Sequence, residues 1–211
     1  MQQPEISIET FDDIILAWCK PIEDELYLLE NIFLTETEKV RLQGMTANRR
    51  RSEWLTTRWL FQNVLPGNYR ITYHENGKPE INNGEMSISV SHCKEVVAIV
   101  ISKSAKSVGL DCETIASRIL KIKHKFVNED EFSQFKNNEL ENLTLIWSAK
   151  EALFKIYAKG AIDFNEHLHV NNFDFCAEGG TFTGTITKEQ KVSYTMHYKL
   201  IQNSLLVWVT E

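Results

Sequence analysis

LTLIWSAKEALFKIYAKG, residues Leu143–Gly160, reads as a helix: it has no proline or glycine before its last residue and is rich in alanine, leucine and lysine. Gly160 is its expected stop. Upstream, KSVGLDCETI (Lys106–Ile115) reads as a short strand. RILKIKHKFVNEDEFSQFKNN (Arg118–Asn138) reads as two helical pieces parted near Asn128, with Asn128 and Glu131 a cap pair. Downstream, HLHVNNFDF (His167–Phe175), TFTGTITK, VSYTMHYK and SLLVWVT (Ser204–Thr210) alternate like a β meander.

Working back, MSISVSHCKEVVAIVIS (Met86–Ser102) predicts two strands joined around His92–Glu95. YHENGKPEI (Tyr73–Ile81) predicts strand edges about an Asn76-Gly77 turn. LTETEKVRLQGMTANRRRSEWLTTRWLFQNVL (Leu34–Leu65) is helical in composition, with a capping box at Thr35 and Glu38 and a break near Gly44 or Asn48. Leu55, Trp59 and Phe61 are its candidate core residues, and Pro66-Gly67 ends it. FDDIILAWCK (Phe11–Lys20) reads as the opening strand. The expectation is an α+β chain of two stretches, 1–104 and 105–211, sharing an interface because no flexible linker parts them. No repeat is visible at the residue level.

Composition narrows the function classes. The 211 residues are 43% hydrophobic and 25% charged, as in ordinary globular proteins. A net charge of −6 argues against a general nucleic-acid binder. No basic, then apolar leader opens the chain, and no apolar run approaches the ~20 residues of a membrane span. The four cysteines, Cys19, Cys93, Cys112 and Cys176, form no CxxC pair. They read as reduced thiols of a cytoplasmic protein.

Five groups of residues call for a chemical reading. On a strand, Asp111 and Glu113 project from one face and leave Cys112 on the other. Such a pair is either a solvated strand end or, with its mutual repulsion relieved by a cation, a Mg²⁺ site. On a helix, Trp147, Glu151 and Lys155 share one stripe. They form either a surface Glu–Lys pair beside a packed Trp, or a further metal carboxylate or base with a phosphate-neutralising lysine. His92 beside Ser91 is a turn residue or a phosphate ligand; neighbours on a strand face opposite sides, so the two make a poor nucleophile pair. Gly77-Lys78-Pro79 is by itself a turn. His167 and His169 lack an evident third zinc ligand.

Taken in order, these motifs resemble the 4′-phosphopantetheinyl transferases of the large, pseudo-dimeric type that activates surfactin synthetase and similar assembly lines. VGLDCE is similar to the family's VGIDIE, WSAKEALFK to WSxKEAxxK and KFVNEDEF to its FFSxxE stretch. NGKPEI and SVSHC match its GKP and SHS elements. The resemblance covers roughly Thr35 to Lys159. Cys93 and Cys112 depart from it, standing for a serine and an aliphatic residue.

The resemblance implies two similar α+β subdomains packed as a pseudo-dimer. It implies Mg²⁺-dependent transfer of phosphopantetheine from coenzyme A to a serine of an apo acyl or peptidyl carrier protein, by a monomer, releasing 3′,5′-ADP. Asp111, Glu113 and Glu151 match the metal acids, and Lys155 the lysine on the pyrophosphate. Ser91 and His92 match the residues on the coenzyme's phosphates, and Lys78 and Pro79 those against the adenine. Arg41 and one of Arg49, Arg50 or Arg51, taken as Arg51, fall where the family holds the 3′-phosphate. Glu151 is the first candidate base and Glu113 the second. Acidic carriers suit Lys121, Lys123 and Lys125. The alternatives are a coenzyme A-binding protein without transfer and a Mg²⁺-dependent phosphohydrolase.

Overall fold

The computed structural model describes residues 4–82, 84–128, 131–132 and 137–211. The first half runs β1 (Ser7–Phe11), β2 (Ile14–Cys19), α1 (Glu25–Asn31), α2 (Glu36–Gln43), α3 (Asn48–Val64), β3 (Ile71–Tyr73), β4 (Pro79–Ile81), β5 (Ser87–His92) and β6 (Val97–Ser102). The second runs β7 (Val108–Thr114), α4 (Ile119–Ile122), a 3-10 turn (Lys123–Lys125), α5 (Glu139–Tyr157), β8 (Leu168–Val170), β9 (Gly180–Ile186), β10 (Val192–Ile201) and β11 (Ser204–Thr210). The α+β class is as expected.

Two antiparallel sheets dominate, ordered β1-β2-β6-β5 and β7-β11-β10-β9-β8, beside the small β3-β4 pair. Their side chains sort by parity into three apolar layers. Ile15, Ala17, Cys19, Val97, Ile99 and Ile101 face α3 and its Leu55, Trp59 and Phe61. Ile14, Leu16, Ala98 and Val100 face the other way, onto Val108, Leu110, Leu206 and Trp208 of the second sheet. Leu205, Val207 and Val209 then face α5. This explains why VVAIVIS is a continuous apolar run rather than an alternating one: β6 is covered on both faces. On α5, Ile146, Ala149, Leu153 and Ile156 follow the 3-4-3 spacing of a buried helical stripe.

The Thr35–Glu38 capping box forms, and the predicted helix breaks into α2 and α3 around Gly44. Asn128 and Glu131 exchange backbone-to-side-chain hydrogen bonds, as a cap pair should. The rest of that second helical piece lies largely outside the described residues. Two elements were not foreseen. β1 is an exposed edge strand with weak alternation, and α1 buries only Leu28, so tertiary contact rather than sequence periodicity holds it. α5 ends earlier than expected, at a left-handed Ala158.

One glycine decides how α5 sits. Gly109 shares its strand face with Asp111 and Glu113, and a Cβ there would lie 2.1 Å from the Ala152 carbonyl oxygen. The helix backbone therefore rides directly on β7. Gly109→Ala is expected to push the two apart and cost roughly 1–3 kcal/mol, measured by denaturant unfolding. Unchanged stability would show that α5 accommodates the methyl group.

Candidate active site

That close approach lays the α5 stripe along the acidic face of β7. Trp147 Nε1 donates to Glu113 Oε1 at 3.3 Å. Lys155 Nζ donates to Asp111 Oδ1 at 3.0 Å and to the Leu110 carbonyl at 2.6 Å. Lys155 thus pairs with the strand acid rather than with Glu151. Glu113 is held by Arg118 at 2.6 Å. Asp111 is buried, and its Oδ2 has no hydrogen-bond partner.

The acids press on one another. Burial, and then the charges of Asp111 and Glu113 against the help of Lys155, push Glu151 up to about 7. Burial and Asp111 also raise Glu113, opposed by Arg118. Among the described residues, no three His, Cys, Asp or Glu side chains are gathered tightly enough to hold a metal ion. Lys155 engages Asp111, and Arg118 engages Glu113. The donor set still fits a hard cation: oxygens only, mutually repelling, one of them buried without a partner.

The first sheet meets this cluster through serines. Ser91 Oγ donates to Asp111 Oδ1 at 2.9 Å and accepts the Cys112 N–H at 3.2 Å, while Ser89 Oγ accepts the Leu110 N–H at 3.0 Å. The hydroxyls satisfy strand groups of β7 where no β ladder joins the sheets. His92, on the opposite side of β5, reaches Glu53 at 3.3 Å.

Two hollows open from here. The first, of about 500 Å³, is lined by Lys78, Pro79, Ser91, His92, Lys155 and Phe154 among others. Its Asn76-Gly77 turn uses a positive φ at Gly77 and docks on α5, Asn76 Nδ2 donating to the Ala158 carbonyl at 3.3 Å. The second, of about 440 Å³, is lined by Arg41, Arg49, Arg50, Glu53, Trp54, Arg58 and others. Tyr73, Val90 and His92 belong to both, so the hollows adjoin. Four arginines and one glutamate give the second a local positive balance within an acidic chain.

A family model described as the 4′-phosphopantetheinyl transferase superfamily matches residues 107–206. The match takes in 100 of the chain's 211 residues. A curated relative, 4′-phosphopantetheinyl transferase gsp of Aneurinibacillus migulanus, is 28% identical over 127 residues, covering 57% of this chain. The chain spans half the length of that relative (50%).

The superfamily segment carries Asp111, Glu113, Glu151 and Lys155; the hollows take most of their other lining from outside it. Arg51 is a correction: it does not reach the second hollow. Its guanidinium is bound by Glu25 at 2.5 and 2.9 Å and by the Leu42 and Met45 carbonyls. Consecutive helix residues point about 100° apart, so Arg49 and Arg50 face the hollow and Arg51 faces α1.

Sequence reading passed over Arg58, which is 3% exposed, lies 3.6 Å over the Trp54 ring and pairs with Glu38 at 3.2 Å. It also passed over Lys150, buried and donating to Glu131, Phe126 O and Phe164 O. The Asn128–Glu131 cap was the one available signal for the latter. Glu53 had none, since its role depends on His92 arriving from another element.

The raised Glu151 has a stability consequence. Unfolded, it titrates near 4.5; folded, near 7. Between those values the folded state holds more protons, so stability from this group falls as pH rises through the window. Glu151→Gln removes that slope. In a chelator, the variant is expected to be more stable than the parent at about pH 8, by on the order of 1–2 kcal/mol after solvent screening of a half-buried group. Below about pH 4.5 the two should converge. Parallel pH profiles of the thermal midpoint would show that Glu151 ionises normally.

Proposed function

We propose that this chain moves the 4′-phosphopantetheine group of coenzyme A onto a serine of an apo acyl or peptidyl carrier protein, releasing 3′,5′-ADP. One observation carries the reading. Lys155, Asp111 and Ser91 form a single bonded group, with Glu113 and Glu151 beside it, at the edge of a groove that runs to an arginine-lined hollow. A ligand with a pyrophosphate at one end and a further phosphate at the other suits that layout. We read residues 1–104 and 105–211 as two α+β subdomains of a pseudo-dimer, the first supplying the coenzyme side and the second the acids.

In this reading Arg41, Arg49 and Arg50 take the 3′-phosphate, with His92 set by Glu53 beside them. Lys78 and Pro79 lie against the adenine. Lys155 neutralises the pyrophosphate and, through Asp111 and Ser91, is held where charge develops. Asp111, Glu113 and Glu151 would hold Mg²⁺, which when bound offsets charge on the phosphate oxygens. The carrier serine attacks the phosphorus nearer the pantetheine, and its proton goes to a carboxylate. Glu151 is the first candidate for that step and Glu113, tied to Arg118 and Trp147, the second. Lys121 and Lys125 are exposed on the segment after β7 and suit an acidic carrier. No helix among the described residues is long and apolar enough to cross a membrane; we place the protein in the cytoplasm on its reduced cysteines.

Incubation with coenzyme A, Mg²⁺ and a panel of purified apo-carriers should add about 340 Da to one of them by intact mass, the size of the transferred group. Free phosphopantetheine without any gain on a carrier would instead make the chain a hydrolase. Coenzyme A binding with neither product would make it a binding protein.

A further inference from the structure

The fold brings together two cysteines that are far apart in sequence. Cys93 Sγ and Cys112 Sγ lie 3.0 Å from each other, and neither is in a disulfide. Bonded sulfurs stand about 2.05 Å apart, so closing the bond asks for roughly 1 Å of approach. Both side chains sit in the apolar layer between the two sheets, 5% and 2% exposed. Cys93 follows Ser91 and His92 directly, and its N–H donates to the Val96 carbonyl at 2.8 Å. Cys112 stands between Asp111 and Glu113, its N–H held by Ser91 Oγ. The other two thiols have no such partner: Cys19 is in the layer facing α3, and Cys176 is exposed beside Glu178.

We propose that Cys93 and Cys112 are a redox modification site, closing to an intramolecular disulfide under peroxide and thereby switching the carboxylate site off. A small neutral peroxide reaches a buried thiol more readily than a bulky disulfide oxidant does. One thiol gives its sulfur electrons to a peroxide oxygen, becoming a sulfenic acid as the O–O bond breaks and water leaves. The second sulfur attacks the first, the S–O bond breaks, and a second water departs with the second thiol's proton. Two thiols and one hydrogen peroxide thus give one disulfide and two waters.

The bond acts on the site through the backbone. Strands β5 and β7 meet here through the Ser89 and Ser91 hydroxyls and not through a ladder, so a relative shift breaks no ladder hydrogen bond between them. Drawing Cys112 toward Cys93 carries Asp111 and Glu113 with it. A misplacement of about 1 Å in such a site costs around a hundredfold in rate. Bond formation stands by itself; the loss of activity rests on the transferase reading.

The full chain carrying Cys176→Ser, to remove the exposed thiol, is treated with hydrogen peroxide, denatured, alkylated and weighed. The expected result is one alkyl group, on Cys19, in place of three, on a chain otherwise about 2 Da lighter, with the Cys93 and Cys112 peptides linked and unalkylated, reversed by dithiothreitol. Transfer to a carrier should fall at least about tenfold in parallel and return on reduction. Adding Cys112→Val should leave no linked peptide and the same rate with and without peroxide. Alkylation of both cysteines, or oxygen addition without a link, would overturn the site. A link that forms and reverses with no change in transfer would overturn the switch. A chain inactive before oxidation would count against the transferase reading alone, since the link is read by mass.

Discussion

Asp111→Ala is expected to lower carrier modification by about three orders of magnitude, about 4 kcal/mol of transition-state stabilisation, while the chain stays folded. Asp111 joins two groups, Ser91 from the first sheet and Lys155 from α5, and its own buried Oδ2 has no partner. Alanine removes the charge that positions Lys155 and the oxygen that answers a metal. The strand should persist, because β7 keeps its full antiparallel pairing with β11 from Val108↔Thr210 to Thr114↔Ser204. Ser91 also keeps a partner in the Cys112 N–H. The assay is the rate of mass gain on a carrier, with circular dichroism as the control for folding. Parental turnover in a folded variant would remove Asp111 from the chemistry.

Lys155→Ala should cost about 2–4 kcal/mol in kcat/KM for coenzyme A, the range for one lost electrostatic donor. The lysine is fixed at two points, the Leu110 carbonyl and Asp111, so its ammonium is placed before substrate arrives. It also lines the larger hollow. Most of the loss should fall on kcat if Lys155 meets charge that appears only in the transition state, and on KM if it only binds the ground-state pyrophosphate. An unchanged rate would return Lys155 to the role of a surface cation.

The sequence was most legible where one element carries the whole signal. VGLDCE is a strand whose parity sends Asp111 and Glu113 to one face, and that holds whatever packs against it. WSAKEALFKIY is a helix whose period aligns Trp147, Glu151 and Lys155. The capping box at Thr35 and the Asn76-Gly77 turn are equally local. Legibility fell off at short or exposed elements. Strand β1 leaves Ile8 and Phe11 exposed, at 52% and 46%, and so shows no clean alternation. The choice among Arg49, Arg50 and Arg51 could not be made from three consecutive identical residues. It depends on the rotation of α3 about its axis, which is set by what Trp54, Leu55 and Trp59 bury against.

Taken alone, the residue order determined the element types, the two same-face pairings on β7 and α5, and the resemblance that ties the motifs together. Each follows from backbone periodicity, a property of a few neighbouring residues. Tertiary structure decided that the acidic face meets the helix stripe, because Gly109 lets the two backbones touch. It decided that Ser91 faces Asp111, that His92 faces Glu53 and that Arg51 turns away to Glu25. It also set Cys93 against Cys112. These are distances between segments far apart in the chain, and only the packing of three apolar layers fixes them.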